Sequence, residues 1–308
     1  MSSVLQTLAL LLVARASCAA RVVYDTEPSA AESCDASELA KAKQQFSSKG
    51  YTVLRGVLTA EEVDAIEERF DHLMHPFPEV AELMGKDYGD QSAGPDVDPA
   101  NFSLINVNNP GRYLAGFSPN ILVEKANASV VAILGEGMQI DYEQLLEKVP
   151  GRKTAVFPWH QDMQYWPKHM PEGVSTRTAT FSLALSDADE TNGCLKMIPR
   201  SGLAKKLLSD RINATSEDGA DEKRAIVLPL TDAELASATP LPVKRGDVTV
   251  HDEWIVHGSG GNPSDRVRKT YVVAFRDAAM VQYERSIGFT HSYNDEPETL
   301  RRIRAGQL

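Results

Sequence analysis

Behind Thr59, apolar residues recur every three or four positions. Val63, Ile66, Phe70 and Leu73 form one stripe, which predicts a helix running to about Met74. Thr59-Ala-Glu-Glu62 marks its start as a capping box: the hydroxyl satisfies a free backbone N–H and Glu62 reaches back. An earlier helix is expected over Ser37–Ser48, stopped by Gly50, with Tyr51–Leu54 a short strand. Residues 75–120 are rich in Pro, Gly, Asn and Asp and read as long loops around a short helix near Glu79–Met84. A further helix is expected over Pro119–Leu134. From Gln139 to about Arg276 the pattern shortens to strands. Thr178–Ser186 alternates: Ala179, Phe181, Leu183 and Leu185 face one way, and Thr178, Thr180, Ser182, Ala184 and Ser186 the other. The second face is small and partly polar without Lys or Glu, which suits a cavity wall better than a solvent face. Ser201–Leu241 reads as a polar insertion with some helix, and Lys244–Asp247 as a turn before the strand Val248–His251. Helices first and short strands after predict an α+β fold on a β-sandwich or barrel, not alternating βαβ units.

Composition narrows the function classes. The 308 residues carry a formal net charge of −11, which repels nucleic-acid backbones and argues against polyanionic ligands such as coenzyme A. Neither Gly-x-Gly-x-x-Gly nor a P-loop is present, so dinucleotide and nucleoside-triphosphate chemistry lack sequence support. Cys18, Cys34 and Cys194 are too few for a disulfide framework or a four-cysteine zinc site. The apolar run Val4–Ala14, followed by Cys18-Ala19-Ala20, reads as a secretory signal, with an organelle presequence as the alternative. Residues 1–20 are thus expected to be a leader, 21–36 a flexible lead-in and 37–308 one domain. The expected address is the secretory pathway or the exterior. With no second apolar run, no stable membrane anchor is expected. Asn101, Asn127 and Asn213 open Asn-x-Ser/Thr triplets, and Cys34 with Cys194 can pair in an oxidising lumen or stay free.

The chemistry-bearing residues come next. Among seven histidines, His160 lies two positions from Asp162, so on an extended segment both face one side. Imidazole nitrogen with carboxylate oxygen suits Fe(II), Mn(II) or Zn(II), but a third ligand is needed. His257 is the candidate. An antiparallel hairpin centred between Asn262 and Pro263 would set His257 opposite Arg268 and Ser259 opposite Arg266, about 5 Å apart at Cβ. A metal ligand, a hydroxyl and a guanidinium would then converge on a chelating organic acid. His251-Asp-Glu-Trp is not a His-Glu-x-x-His helix, and His251 is expected not to be a ligand. His72, His75, His169 and His291 read as loop or surface residues, and Glu217–Glu222 as a solvated loop.

His160-Gln-Asp162, Asn192-Gly-Cys194 with Pro199, His257-Gly-Ser259 and Arg268, in this order and spacing, resemble the phytanoyl-CoA dioxygenase family of Fe(II)/2-oxoglutarate oxygenases. The likeness spans about residues 40–276, including Gly50-Tyr-Thr-Val-Leu and Leu58-Thr-Ala-Glu-Glu. It implies a double-stranded β-helix, or jelly roll, with packed helices. It implies Fe(II) on His160, Asp162 and His257, and the distal carboxylate of 2-oxoglutarate on Arg268 and Ser259. Gln144 and Ser182 would wall the cosubstrate, and O₂ would complete the chemistry. The implied reaction hydroxylates a small-molecule substrate and releases succinate and CO₂. Tyr165 and Trp166 would line the substrate side or serve as core aromatics. A non-catalytic jelly-roll module would predict a broken triad. A zinc hydrolase using the same three residues would leave Arg268 and Ser259 unexplained.

Overall fold

The computed structural model describes residues 36–93, 97–167, 177–208 and 227–295, all within one compact unit. The leader, most of the lead-in, Cys34, His169, Asn213 and Glu217–Glu222 lie outside the described residues.

Three helices form where the apolar spacing places them: α1 (Ala36–Lys49), α2 (Ala60–Met74) and, after the short α3 (Pro78–Met84), α4 (Ile121–Leu134). The capping box at Thr59 is formed in both directions. Between α1 and α2 runs β1 (Tyr51–Leu54). The loop-like stretch 75–120 holds two strands that the pattern does not reveal, β2 (Tyr88–Asp90) and β3 (Leu104–Asn108). β3 is buried at all five positions, so it shows no alternation, and its Asn106 and Asn108 read as loop residues. The remaining strands are β4 (Met138–Lys148), β5 (Phe157–His160), β6 (Thr178–Ala184), β7 (Leu195–Met197), β8 (Thr239–Pro240), β9 (Val248–His251), β10 (His257–Ser259) and β11 (Arg268–Asp277). α5 (Asp232–Ser237) precedes β8, and α6 (Ala278–Ser286) follows β11.

The strands make two antiparallel sheets, of order β1-β9-β6-β11-β4-β3-β2 and β5-β10-β7-β8. This is the expected jelly roll. One face of the large sheet presents Leu145, Phe181, Leu183, Val250, Tyr271, Val273 and Phe275 to the stripes of α1, α2 and α4 in one hydrophobic core. Because side chains alternate along a strand, the opposite face must carry the intervening residues. Tyr142, Gln144, Leu146 and Lys148 of β4, Thr180 and Ser182 of β6, and Arg268, Thr270 and Val272 of β11 line a cavity closed on its far side by β5 and β10. Registers align this face in rows. Gln144, Val272, Ser182 and Thr249 are successive cross-strand partners, as are Tyr142, Ala274, Thr180 and His251.

The expected His257–Arg268 hairpin does not form. β10 pairs with β5 and β7 in the small sheet, while Arg268 opens β11 opposite Lys148 in the large sheet. The linking segment crosses between sheets instead of turning back. A Cβ on Gly261 would sit 2.1 Å from the Lys153 carbonyl oxygen, so only glycine passes there. Asn262 then donates to the carbonyls of Lys148 (3.1 Å) and Arg266 (2.7 Å), fixing the crossing. His257 and Arg268 still share the cavity, but as residues of facing sheets.

No helix among the described residues is long and apolar enough to cross a membrane.

Candidate metal centre and cosubstrate pocket

His160 ends β5 and His257 begins β10, and the two are cross-strand partners with ring centroids 4.2 Å apart. Asp162 starts a 3₁₀ turn just after His160. Between them Gln161 points away and is fully buried. Its amide nitrogen donates to the carbonyls of Trp254 (2.6 Å) and Lys206 (3.0 Å), and its oxygen accepts from the Leu208 N–H (2.8 Å). Anchoring this middle residue aims its two neighbours into the cavity.

Hydrogen bonds fix the tautomers. His160 Nδ1 donates to the Pro158 carbonyl (2.7 Å) and His257 Nδ1 to the Ile255 carbonyl (3.1 Å). A carbonyl only accepts, so each ring carries a proton on Nδ1 and turns Nε2 inward. The two Nε2 atoms face Asp162 Oδ1 at 3.3 and 3.4 Å. Three lone pairs meeting in a buried spot repel one another unless a cation lies among them. One ligand atom from each residue lies within 4.8 Å of the others, which fits a divalent ion. Burial opposes ionisation of Asp162, but His257, His160 and His251 outweigh it and hold the carboxyl well below its usual range. Burial, reinforced by His160 and His251, pushes His257 well below the ordinary imidazole value, so the ring stays a neutral donor of its lone pair.

The other carboxylate oxygen is tied. Thr180 Oγ1 donates to Asp162 Oδ2 at 3.0 Å, and His251 Nε2 lies 3.1 Å from the same atom. His251 is therefore no ligand: its proton faces the carboxylate, and among the described residues its buried Nδ1 has no partner. Sequence reasoning set His251 aside, yet the Thr180–His251 row of the large sheet leaves Asp162 only Oδ1 to offer. Partners of this kind change metal affinity about 10- to 100-fold. Thr180→Val and His251→Leu should each weaken Mn(II) binding by that factor in calorimetric titration of metal-free protein, while thermal unfolding stays cooperative.

At another part of the cavity Arg268 is 7% exposed. Its Nη1 donates to the Gly193 carbonyl (2.6 Å), its buried Nε has no partner, and no carboxylate of the described residues pairs with it. Burial pushes the guanidinium down to about 10, so it remains charged at neutral pH. Lys148 lies alongside, donating to the carbonyls of Ala155 and Gly260. Burial, with Arg268 adding to it, pushes this ammonium well below its ordinary value. An orphaned buried cation calls for an anion, and a carboxylate fits. Ser259, Gln144 and Ser182 line the same cavity, and the Gln144 amide nitrogen is held by Asn106 Oδ1.

Tyr165 and Trp166 also line the cavity. His291, expected in a loop or at the surface, is instead a cavity residue with its side chain 9% exposed, joined by Tyr142, Phe289 and Tyr293. Nothing in the local pattern His291-Ser-Tyr-Asn-Asp marks it. Its environment comes from β4 and Trp166, far away in sequence.

Two histidines and a carboxylate converging on a jelly-roll cavity define the class of non-haem iron oxygenases. Within that class the chain belongs to the phytanoyl-CoA dioxygenase (PhyH) family, whose pattern it matches over residues 46–270. It is an Fe(II)- and 2-oxoglutarate-dependent dioxygenase. Phytanoyl-CoA dioxygenase 1 of Oryza sativa subsp. japonica is 25% identical over 246 residues, 71% of this chain and 82% of the relative. Phytanoyl-CoA dioxygenase domain-containing protein 1 of Mus musculus is 28% identical over 274 residues, 77% of this chain and 89% of the relative. The fold is shared with EvdO2 from Micromonospora carbonacea var. aurantiaca, solved with 2-oxoglutarate. Its TM-score is 0.59 at 22% identity, covering 77% of this chain and 90% of that one.

Proposed function

We propose that His160, Asp162 and His257 hold Fe(II), and that Arg268 and Ser259 bind the distal carboxylate of 2-oxoglutarate with Gln144 and Ser182 as its wall. The carrying observation is one cavity that holds both a set of unshielded lone pairs and a buried, unpaired guanidinium. The bound iron and cosubstrate supply O₂ activation coupled to oxidative decarboxylation. The chain's part is to keep Nε2, Oδ1 and Nε2 aimed inward, leave the other positions to small molecules, neutralise the cosubstrate carboxylate and keep bulk water away. A zinc hydrolase reading leaves Arg268 without work.

The substrate in this reading is a small organic molecule, not an acyl-CoA. Among the described residues lining the cavity only Lys148 and Arg268 are cationic, and both belong to the cosubstrate end, so the described lining offers no further cation for a nucleotide phosphate. Anaerobic reconstitution with Fe(II), followed by a substrate panel under O₂ scored by succinate release and product mass, tests the reading. The expected product is substrate plus one oxygen atom, with ¹⁸O drawn from O₂, unchanged in chloride or bromide buffer. Asp162 stands where a halide would sit, and its buried negative charge repels a second anion. A halogenated product would remove Asp162 from the ligand set.

The same proposal gives the protein a secretory address, supported by the apolar run Val4–Ala14 and the small residues after it. N-terminal sequencing of exported protein should begin at Arg21; a chain retaining Met1 would exclude cleavage.

A further inference from the structure

The aromatic end of the cavity holds a side chain that neither iron nor cosubstrate binding explains. His291 has φ +63°, a left-handed conformation uncommon for a histidine and tolerated where the surroundings hold it. Its ring stacks on Tyr142 (4.6 Å between centroids, 25° between planes) and packs against Phe289 (4.2 Å) and the edge of Trp166 (5.7 Å). Nε2 lies 2.8 Å from Asp141 Oδ2, which also accepts the Trp166 indole N–H at 2.9 Å; Asp141 Oδ1 accepts from Arg285 at 2.9 Å. Burial opposes ionisation of Asp141, but His291, Arg285 and Arg276 prevail and keep it a carboxylate. The Trp166 indole nitrogen also lies 3.1 Å from Nε2, but Asp141 Oδ2 accepts its N–H at the shorter distance, and a carboxylate facing Nε2 only accepts, so the proton on that side belongs to Nε2. Nδ1 then carries a lone pair, and among the described residues it has no partner.

Asp141, Glu284 and His291 lie close enough to hold a cation, but Arg276 (3.1 Å from Glu284) and Arg285 already supply the positive charge, so the group is not read as a second metal site. The trio instead sets one acceptor in an aromatic wall. Tyr142 and Lys148 lie six residues apart on β4, about 20 Å along a strand. The acceptor and the cationic cosubstrate end thus occupy opposite ends of one strand. Tyr142 also shares its cross-strand row with Thr180 and His251, the two residues that hold Asp162. His291 therefore flanks the metal centre on the side away from Arg268. Phe289, His291 and Tyr293 all lie beyond residue 270, outside the stretch that matches the family.

We infer that His291 is a specificity-determining residue, oriented by Asp141 and Trp166, whose Nδ1 accepts a hydrogen bond from the hydroxyl or N–H of a compact, unphosphorylated substrate lying against Tyr142, Trp166 and Phe289. The inference rests on the dioxygenase reading for what the cavity binds, and the experiment separates the two. The probes are matched pairs: phenol and anisole, indole and 1-methylindole, cyclohexanol and its methyl ether. Each is titrated against anaerobic full-length protein loaded with Mn(II) and 2-oxoglutarate, and binding is read by calorimetry. The donor member should bind about tenfold more tightly, the effect of one buried acceptor left unsatisfied by its methylated partner. His291→Phe keeps a ring in place but should bring the ratio near one. His291→Asn suits the left-handed backbone and should lower it below about threefold. Asp141→Asn, which frees the tautomer, should also lower it, a change that a purely structural role would not produce. An equal ratio in wild type, no binding by any donor, or an unchanged ratio in His291→Phe overturns the inference. Mn(II)-dependent binding of 2-oxoglutarate by the wild-type protein is the control. Failure of the wild-type protein to bind 2-oxoglutarate with Mn(II) would instead sink the dioxygenase reading.

Discussion

Alanine at His160, Asp162 or His257 is expected to abolish both iron binding and turnover. In the proposed site each substitution removes one of three protein donors, leaving two to hold the ion. Apo-protein melts of each variant separate the loss of metal affinity from any loss of the fold. Asp162→Ala has a further cost, since Thr180 Oγ1 and His251 Nε2 lose their common acceptor and are left buried. Metal titration monitored by calorimetry, alongside thermal melts with and without Mn(II), checks all three. Wild-type metal affinity in any one variant would exclude that residue from the ligand set.

Arg268→Ala should leave the iron site intact and raise the 2-oxoglutarate requirement steeply. The guanidinium is buried, and its Nε finds no partner among the described residues, which supports the cosubstrate as the missing partner. Losing a charge-assisted contact that leaves a buried carboxylate unpaired costs about 2–5 kcal/mol, roughly 30-fold to several thousand-fold in affinity. Lys148 cannot take over, because its ammonium is committed to the carbonyls of Ala155 and Gly260. Arg268→Lys should recover little of the loss, since a point charge on a shorter reach does not reproduce a planar fork. The measurement is succinate release against 2-oxoglutarate concentration, with Mn(II) affinity as the control. An unchanged requirement would place the cosubstrate carboxylate elsewhere.

Local chemistry legible in the chain fixed much of this molecule. The capping box at Thr59 and the Val63–Leu73 stripe determine α2, because both depend on residues within one or two turns. The alternation of Thr178–Ser186 separates the core face of β6 from its cavity face, because strand geometry alone sends neighbours to opposite sides. The identities and order of His160, Asp162, His257, Ser259 and Arg268 point to the chemistry. Their meeting place was decided by tertiary structure. His257 and Arg268 come together because the chain crosses from one sheet to the other at Gly261, a path that a strand-turn-strand pattern cannot distinguish from a hairpin. β3 is buried on both faces and loses the alternation that would have revealed it. His251 and His291 carry no local mark at all. One is set beside Asp162 by the pairing of β6 with β9, and the other against Tyr142 and Asp141 by the return of the chain after α6. Sequence spacing records which side chains share a strand or a helix face. Which strands face each other across a cavity depends on sheet order and on contacts between residues from about seventy to about 150 positions apart.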